Sequence, residues 1–253
     1  MSKTDKKRVI TFALGNIWRM MRGIDRGKLL SKVKNLDVDG FEITILRVNE
    51  LDAIKISDAQ CRWLKKFHYV SIHAPTHLAR KGEVSKEELL RRMDTLYELY
   101  KKVGAQNIVI HPDDLPDKSI LKRYKMNYST ENMEHGRGIT KKHVADILRK
   151  NPKIGLCLDV SHAHTISSKE TKYYVDNFRE KITQVHFSGA NRKGRHLQMK
   201  NSAKSFMKSM KPILSLDVPI IIEENMPFKK MEQVKREIKI VKNILNSKQY
   251  KNA

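Results

Sequence analysis

Imidazoles and carboxylates stand at the ends of short apolar runs along this chain. His73 closes HYVSIH, His111 closes NIVIH and Glu131 closes NYSTE. Asp159 closes GLCLD with His162 three residues on, and His186 closes ITQVH with His196 ten residues further. Glu223 closes VPIIIE, and Glu42 lies within another run, GFEITI. One such residue at a strand end is ordinary. The same placement on strand after strand makes the side chains converge. His, Glu and Asp together are ligands for zinc or another first-row divalent ion, manganese included. A carboxylate can bridge two cations through its two oxygens. Cations about 3.5–4 Å apart can activate a water and neutralise a phosphate during in-line displacement.

The elements that must position these residues follow a repeat of roughly 30 residues, strand then amphipathic segment. The spacing predicts strands near 8–14, 38–45, 68–74, 106–112, 126–132, 154–160, 182–188 and 218–224. Their Val, Ile, Phe and Tyr content suits parallel strands buried on both faces. Helices are predicted at 51–66, 86–103, 140–150, 168–180, 202–215 and 228–247. For 86–103, Ser85 and Glu88 predict a capping box and Gly104 a C-terminal cap. The connection DDLPDKSILKRYK has room for one small helix. Eight such units in 253 residues predict an α/β protein, a (β/α)8 TIM barrel, whose active site lies at the C-terminal ends of the strands. No Gly/Pro-rich linker divides the chain, so a single domain over 1–253 is expected, with a frayed tail after about 247.

Composition adds a second constraint. Lys and Arg number 51 against 28 acids, a formal net charge of +23. The excess is one-sided, which favours a polyanionic partner, nucleic acid above all, over a merely solubilising surface. Two basic loops are placed on the active face. NIWRMMRGIDRGK carries Arg19, Arg22, Arg26 and Lys28, and NRKGRHLQMK carries Arg192, Lys193, Arg195 and Lys200. Of these, Arg19, Arg22, Arg192, Lys193 and Arg195 are the phosphate-binding candidates. Trp18 either stacks on a base or covers the barrel rim. Cys61 and Cys157 form no CxxC pair, which implies a reducing compartment. Cys157 reads as a small core residue. No run is long enough to span a membrane, and the charged MSKTDKKRVITF lacks the apolar core of a signal peptide, so a cytoplasmic location is expected.

The motifs SIHAP, IVIHPD, TEN, LDVSH, VHFSGA and IIIEEN, in this order over most of the chain, resemble endonuclease IV. That is the metal-dependent apurinic/apyrimidinic endonuclease family of the xylose-isomerase-like barrels. The resemblance implies a site of two or three zinc ions acting on damaged double-stranded DNA. In it His73 and His111 hold one ion, and Glu131 bridges to a second completed by Asp159, His186 and Glu223. His162 and His196 hold a third, and Glu131 and Glu223 are the catalytic carboxylates. Three departures stand out. The family's Asp two residues before the last His is Gly194 here, leaving Asn191 or His164 to substitute, or the third site weak or absent. The opening His motif of strand one is replaced by TFALGN, and the stretch after His111 is short. The same superfamily contains sugar and sugar-phosphate isomerases and epimerases, which share the core Glu131, Asp159, His186 and Glu223 and use two glutamates as proton shuttles. His68, His77, His135 and His143 are expected at the surface or in packing. Glu134 and Glu224 are expected outside the ligand set, and Glu42 either pairs with a basic residue or touches substrate.

Overall fold

The computed structural model of the chain describes residues 7–20, 25–80, 82–191, 194–227 and 230–247, with the backbone alone at 19 and 20. Eight parallel strands close into a barrel. They are β1 (Ile10–Ala13), β2 (Gly40–Thr44), β3 (Tyr69–His73), β4 (Asn107–Ile110), β5 (Tyr128–Glu131), β6 (Ile154–Asp159), β7 (Ile182–Phe187) and β10 (Ile220–Ile222). Each predicted strand is present. Neighbours in sequence are neighbours in the barrel, and β10 closes it on β1 through Ile10↔Ile220. A small antiparallel hairpin, β8 (Gly189–Asn191) with β9 (Gly194–Leu197), follows β7 and stands apart from the barrel.

The strands alternate in a way that decides where the core lies. Phe41, Ile43, Val70, Ile72, Ile108, Leu156 and Leu158 belong to one buried apolar cluster with helix residues such as Leu89, Met93, Val144 and Val241. The hydrophobic core is therefore the layer between sheet and helices. The residues between them, Glu42, Ser71, Asn107, Ser129 and Gln184, are buried and polar, and they bond to one another across the barrel. Gln184 is the hub. Its amide oxygen accepts from Tyr69 and Asn107, and its amide nitrogen donates to Glu42. A buried polar set of this size is tolerable only when its members satisfy one another. It forms a rigid floor beneath the strand-end residues.

Helix Lys86–Val103 spans the residues predicted for it, turning Leu89, Met93, Leu96, Leu99 and Val103 inward. Full burial of such a side chain contributes about 1.5–3 kcal/mol. Gly104 ends it at φ 69, a left-handed conformation that glycine adopts without Cβ strain. The predicted capping box is only half made. Ser85 accepts from the Glu88 amide, but the Glu88 carboxylate turns to Arg91 and Arg92 instead of the cap. The helix predicted over 51–66 is two, Val48–Ala53 and Asp58–Leu64, because Ser57 and Gln60 form a capping box that starts the second. The 202–215 segment shortens to Phe206–Met210 and a 3-10 turn, Lys211–Ser215, with Pro212 at its start. The small helix expected between β4 and β5 is Lys118–Leu121. Helices Arg26–Val33 and Val160–Ile166 were not expected from the sequence. Among the described residues no helix is long and apolar enough to cross a membrane.

Candidate metal centre

All eight residues proposed as ligands meet at the C-terminal mouth of the barrel. Glu131, at the end of β5, occupies the middle. Its Oε2 lies 3.6 Å from His73 Nε2 and 3.3 Å from His111 Nε2. Its Oε1 lies 3.0 Å from His186 Nδ1. The two carboxylate oxygens thus face two different groups of nitrogens. Glu223 Oε2 comes within 2.8 Å of the same His186 Nδ1. Asp159 pairs with His186 in register across β6 and β7 and joins Glu131, His186 and Glu223 in one compact group. His162 and His196 meet beside it, Nε2 to Nε2 at 3.0 Å.

The other edge of each ring shows which nitrogen is free. A carbonyl oxygen only accepts, so a ring nitrogen bonded to one must carry the proton. His73 Nδ1–H donates to the Ala74 carbonyl, His162 Nδ1–H to that of Asn132 and His196 Nδ1–H to that of Glu223. Each leaves its Nε2 lone pair pointing into the mouth. His186 is reversed. Its Nε2 faces Glu42 at 3.2 Å, so a neutral ring donates there and turns its Nδ1 lone pair toward two anionic oxygens. A histidine tied at one nitrogen to a carboxylate or carbonyl is the arrangement that orients metal-ligating rings.

The carboxylates fit cations equally well. Buried oxygens Glu131 Oε2, Asp159 Oδ2 and Glu223 Oε2 have no hydrogen-bond donor among the described residues. Leaving such an atom unsatisfied costs about 1–3 kcal/mol, more for a charged group. Divalent ions between these oxygens and the lone pairs would satisfy both. Without one, protons must do so. Burial alone would lower His186 and raise Glu131, yet Cys157 and the carboxylates of Glu42, Glu223 and Glu131 hold His186 well above its ordinary value, and His186, with His111 and His73, holds Glu131 well below its own. Burial would likewise raise Glu223, but the charge of His186 and His196 holds it low.

The backbone reasons are local. Asp159 caps helix Val160–Ile166, and its Oδ1 accepts from the His162 amide at 2.6 Å and the Ser161 hydroxyl at 2.8 Å. The D-x-x-H spacing is thus a helix start that sets Asp159 and His162 side by side. Asn132 bonds both the amide and the carbonyl of Asp159, locking β5 to β6 at their ends. His196 sits on the hairpin at φ 53, uncommon for a residue with a Cβ.

Several expectations need correction. Arg26 does not belong to the basic rim. It is 1% exposed, with its guanidinium held by Glu50 at 2.6 Å and the Thr44 carbonyl. Asn191 is committed to the hairpin turn, accepting from the Gly194 amide and donating to the Asn201 carbonyl. His164 faces away, bonded to Ser209 and edge-on to Phe206. Neither is placed to serve as a substitute ligand. Glu42 pairs with no lysine or arginine among the described residues; it supports His186. Arg195 reaches Glu134 at 2.8 Å. The side chain of Arg19, and Arg22, Arg192 and Lys193 entirely, lie outside the described residues. Cys157 is fully buried among Gln184, Glu131 and His186, and burial pushes its thiol up, in keeping with a small interior residue. Sequence reasoning missed Gln184 and Asn132. For Gln184 the signal was present, a polar residue in a strand where alternation points inward; Asn132, just past the end of β5, carried no such signal.

No family model matches the chain, and no curated protein matches it. Solved structures do. A D-tagatose 3-epimerase-like protein superposes with a TM-score of 0.65 at 17% identity, covering 94% of this chain and 99% of that one. The 3-keto-D-glucoside 4-epimerase YcjR from E. coli gives 0.64 at 13% identity over 94% and 100%. Endonuclease IV from Thermus thermophilus gives 0.58 at 14% identity over 92% and 99%. The fold is a xylose-isomerase-like TIM barrel, and the solved structures similar to it include an endonuclease and an epimerase.

Proposed function

We propose that the chain is a metal-dependent phosphodiesterase that incises damaged double-stranded DNA at abasic sites. One observation carries this reading. His73 and His111 both converge on the outer oxygen of Glu131, providing a binding group beyond the four residues Glu131, Asp159, His186 and Glu223. A one-metal isomerase has no use for that additional group. The net charge of +23 supports a polyanionic substrate.

Bound divalent ions, zinc or manganese, would lower the pKa of water and neutralise charge on the phosphate. The protein's own residues do the rest. Glu131 presents one oxygen to each group and fixes their separation. Glu42 and the carbonyls of Ala74, Asn132 and Glu223 hold the rings in the tautomer that ligates. Glu223 and His196, on the partly exposed side, border the path by which substrate and water enter.

A second reading, a sugar or sugar-phosphate isomerase or epimerase, is favoured by one feature. Glu131 and Glu223 flank the same His186 nitrogen at 3.0 and 2.8 Å, a pair of carboxylates suited to moving a proton on either side of a bound carbonyl. The two readings separate with chelated protein reloaded with zinc or manganese. Incision of an abasic-site duplex that returns with metal supports the endonuclease. Solvent-deuterium exchange into a ketose, with no incision, would replace it by the epimerase.

A further inference from the structure

Gly194 removes the carboxylate expected beside His196, and the two residues first considered as substitutes point elsewhere. A carboxylate is nevertheless present. Glu134 lies in the loop after β5, three residues beyond Glu131. Its Oε2 is buried, has no hydrogen-bond donor among the described residues and lies 3.7 Å from His162 Nε2. His196 Nε2 stands 3.0 Å from that same nitrogen. Both imidazoles have their Nδ1 proton committed to a carbonyl, so the two Nε2 lone pairs face each other. That contact is repulsive unless positive charge lies between them. The anionic Oε2 of Glu134 approaches the same point.

We propose that Glu134 completes a third cation site with His162 and His196, taking the place of the missing aspartate. The donor set is two imidazole nitrogens and one carboxylate, the kind that binds a zinc ion and leaves a position open for water or substrate. The geometry distinguishes Glu134 from Asp159, the other carboxylate beside His162. Asp159 Oδ2 approaches the Nδ1 edge of His162, at 4.0 Å, whereas Glu134 approaches the Nε2 edge. Asp159 lies within ligand range of His162 and His196 as well as of Glu131, His186 and Glu223, but it meets the His162 ring at the edge whose proton is already committed to the Asn132 carbonyl. Two local features hold the third site in place. The His135 amide donates to Thr165, tying the Glu134 loop to the helix that carries His162. The His196 carbonyl accepts from the Asn225 amide at 2.7 Å, fixing the hairpin against the loop after β10. Arg195 pairs with the other oxygen of Glu134 and steers it without occupying Oε2.

This inference rests on the reading of the mouth as a metal centre, and its test separates the two. Zinc content is measured on dialysed protein at fixed free zinc, for wild type, Glu134→Gln and Arg195→Ala. Cobalt(II) titration followed by visible absorption provides a second readout. Wild type should bind three ions per chain and Glu134→Gln two, with the two retained ions reporting that the variant is folded. Arg195→Ala should keep three, because it removes only the partner that steers Glu134. A Glu134→Gln variant that still binds three ions overturns the assignment of Glu134 as a ligand. A wild type binding two ions also overturns the third site while leaving the metal centre standing. A wild type that binds none removes the metal centre itself.

Discussion

Glu42 acts on the centre without belonging to it. It is fully buried, accepts hydrogen bonds from Ser71 and Gln184, and faces His186 Nε2. A glutamine there keeps the size and removes the charge that fixes the ring's tautomer. Glu42→Gln should weaken metal binding at the Glu131, Asp159, His186 and Glu223 group by about 10–100-fold. Competition against a chromophoric chelator measures this, and unchanged affinity would reduce Glu42 to a space-filling role. Glu131→Gln should go further, because the bridging charge is lost. Metal content and hydrolysis should fall together, and normal values of both would exclude the bridge. His73 gives a pH signature in chelated protein. Burial alone would lower it, but Glu131, with Glu42 and Glu223 behind it, raises it from 6.5 to about 9. The stabilisation is then complete below pH 6.5 and is lost as pH climbs through about 9. The difference in melting temperature between chelated wild type and chelated His73→Gln should narrow across that interval, and a constant difference would contradict the ion pair. Six of the candidate ligands were legible because each stands at the end of a barrel strand, while His162 and His196 were found by their spacing after Asp159 and His186. Glu134 was not, because loop residues carry no periodicity and only folding brings it to His162.

At the scale of elements, the strands were the most legible part, since short runs of β-branched residues at regular spacing have few other uses. Helix Lys86–Val103 was equally clear, from Ser85 to Gly104. The elements that escaped had mixed signals. Val160–Ile166 begins directly on the strand-end ligand Asp159, with no intervening loop to mark it. Arg26–Val33 starts in a basic segment with Gly27 in its first turn, and its Asp25 cap was read as loop. The hairpin strands are three and four residues long, too short for alternation to register. Gly104→Ala tests the helix end. A Cβ at φ 69 is strained, and it would stand 2.9 Å from the flexible Lys65 side chain, which can move aside. Destabilisation of about 1–2 kcal/mol is expected from the backbone alone. Denaturant titration would show it as a lowered midpoint, and an unchanged midpoint would mean the chain relaxes out of the left-handed conformation.

For the whole molecule, the barrel divides its chemistry by face. Apolar residues point outward to the helices, the interior holds a polar floor, and the candidate ligands occupy the mouth. The sequence reading of strands buried on both faces was right about burial and incomplete about polarity. Charge follows the same logic of place. Arg26 is used inside the fold, while Lys28, Lys32 and Lys55 line an open groove beside the starts of helices Arg26–Val33 and Asp58–Leu64. Helices that follow parallel strands begin at the barrel end that carries the candidate ligands, so Lys28, in the first turn of its helix, stands toward the mouth while Lys32, in the last turn, carries the groove along the flank of the barrel. Replacing the three lysines by alanine should weaken duplex binding and flatten its salt dependence, by up to about 0.9 per lost phosphate contact in the log–log slope. Metal content should be unaffected. An unaltered slope would place the phosphate path elsewhere on the surface.

The most direct measurement is single-turnover incision of an abasic-site duplex by zinc-loaded protein, followed across a salt series beside the intact duplex of the same sequence. Incision should be confined to the abasic strand, abolished by chelation and restored by metal, with an apparent affinity that falls steeply with salt. Zinc-loaded protein that leaves the abasic duplex uncut at every salt concentration would contradict the endonuclease reading.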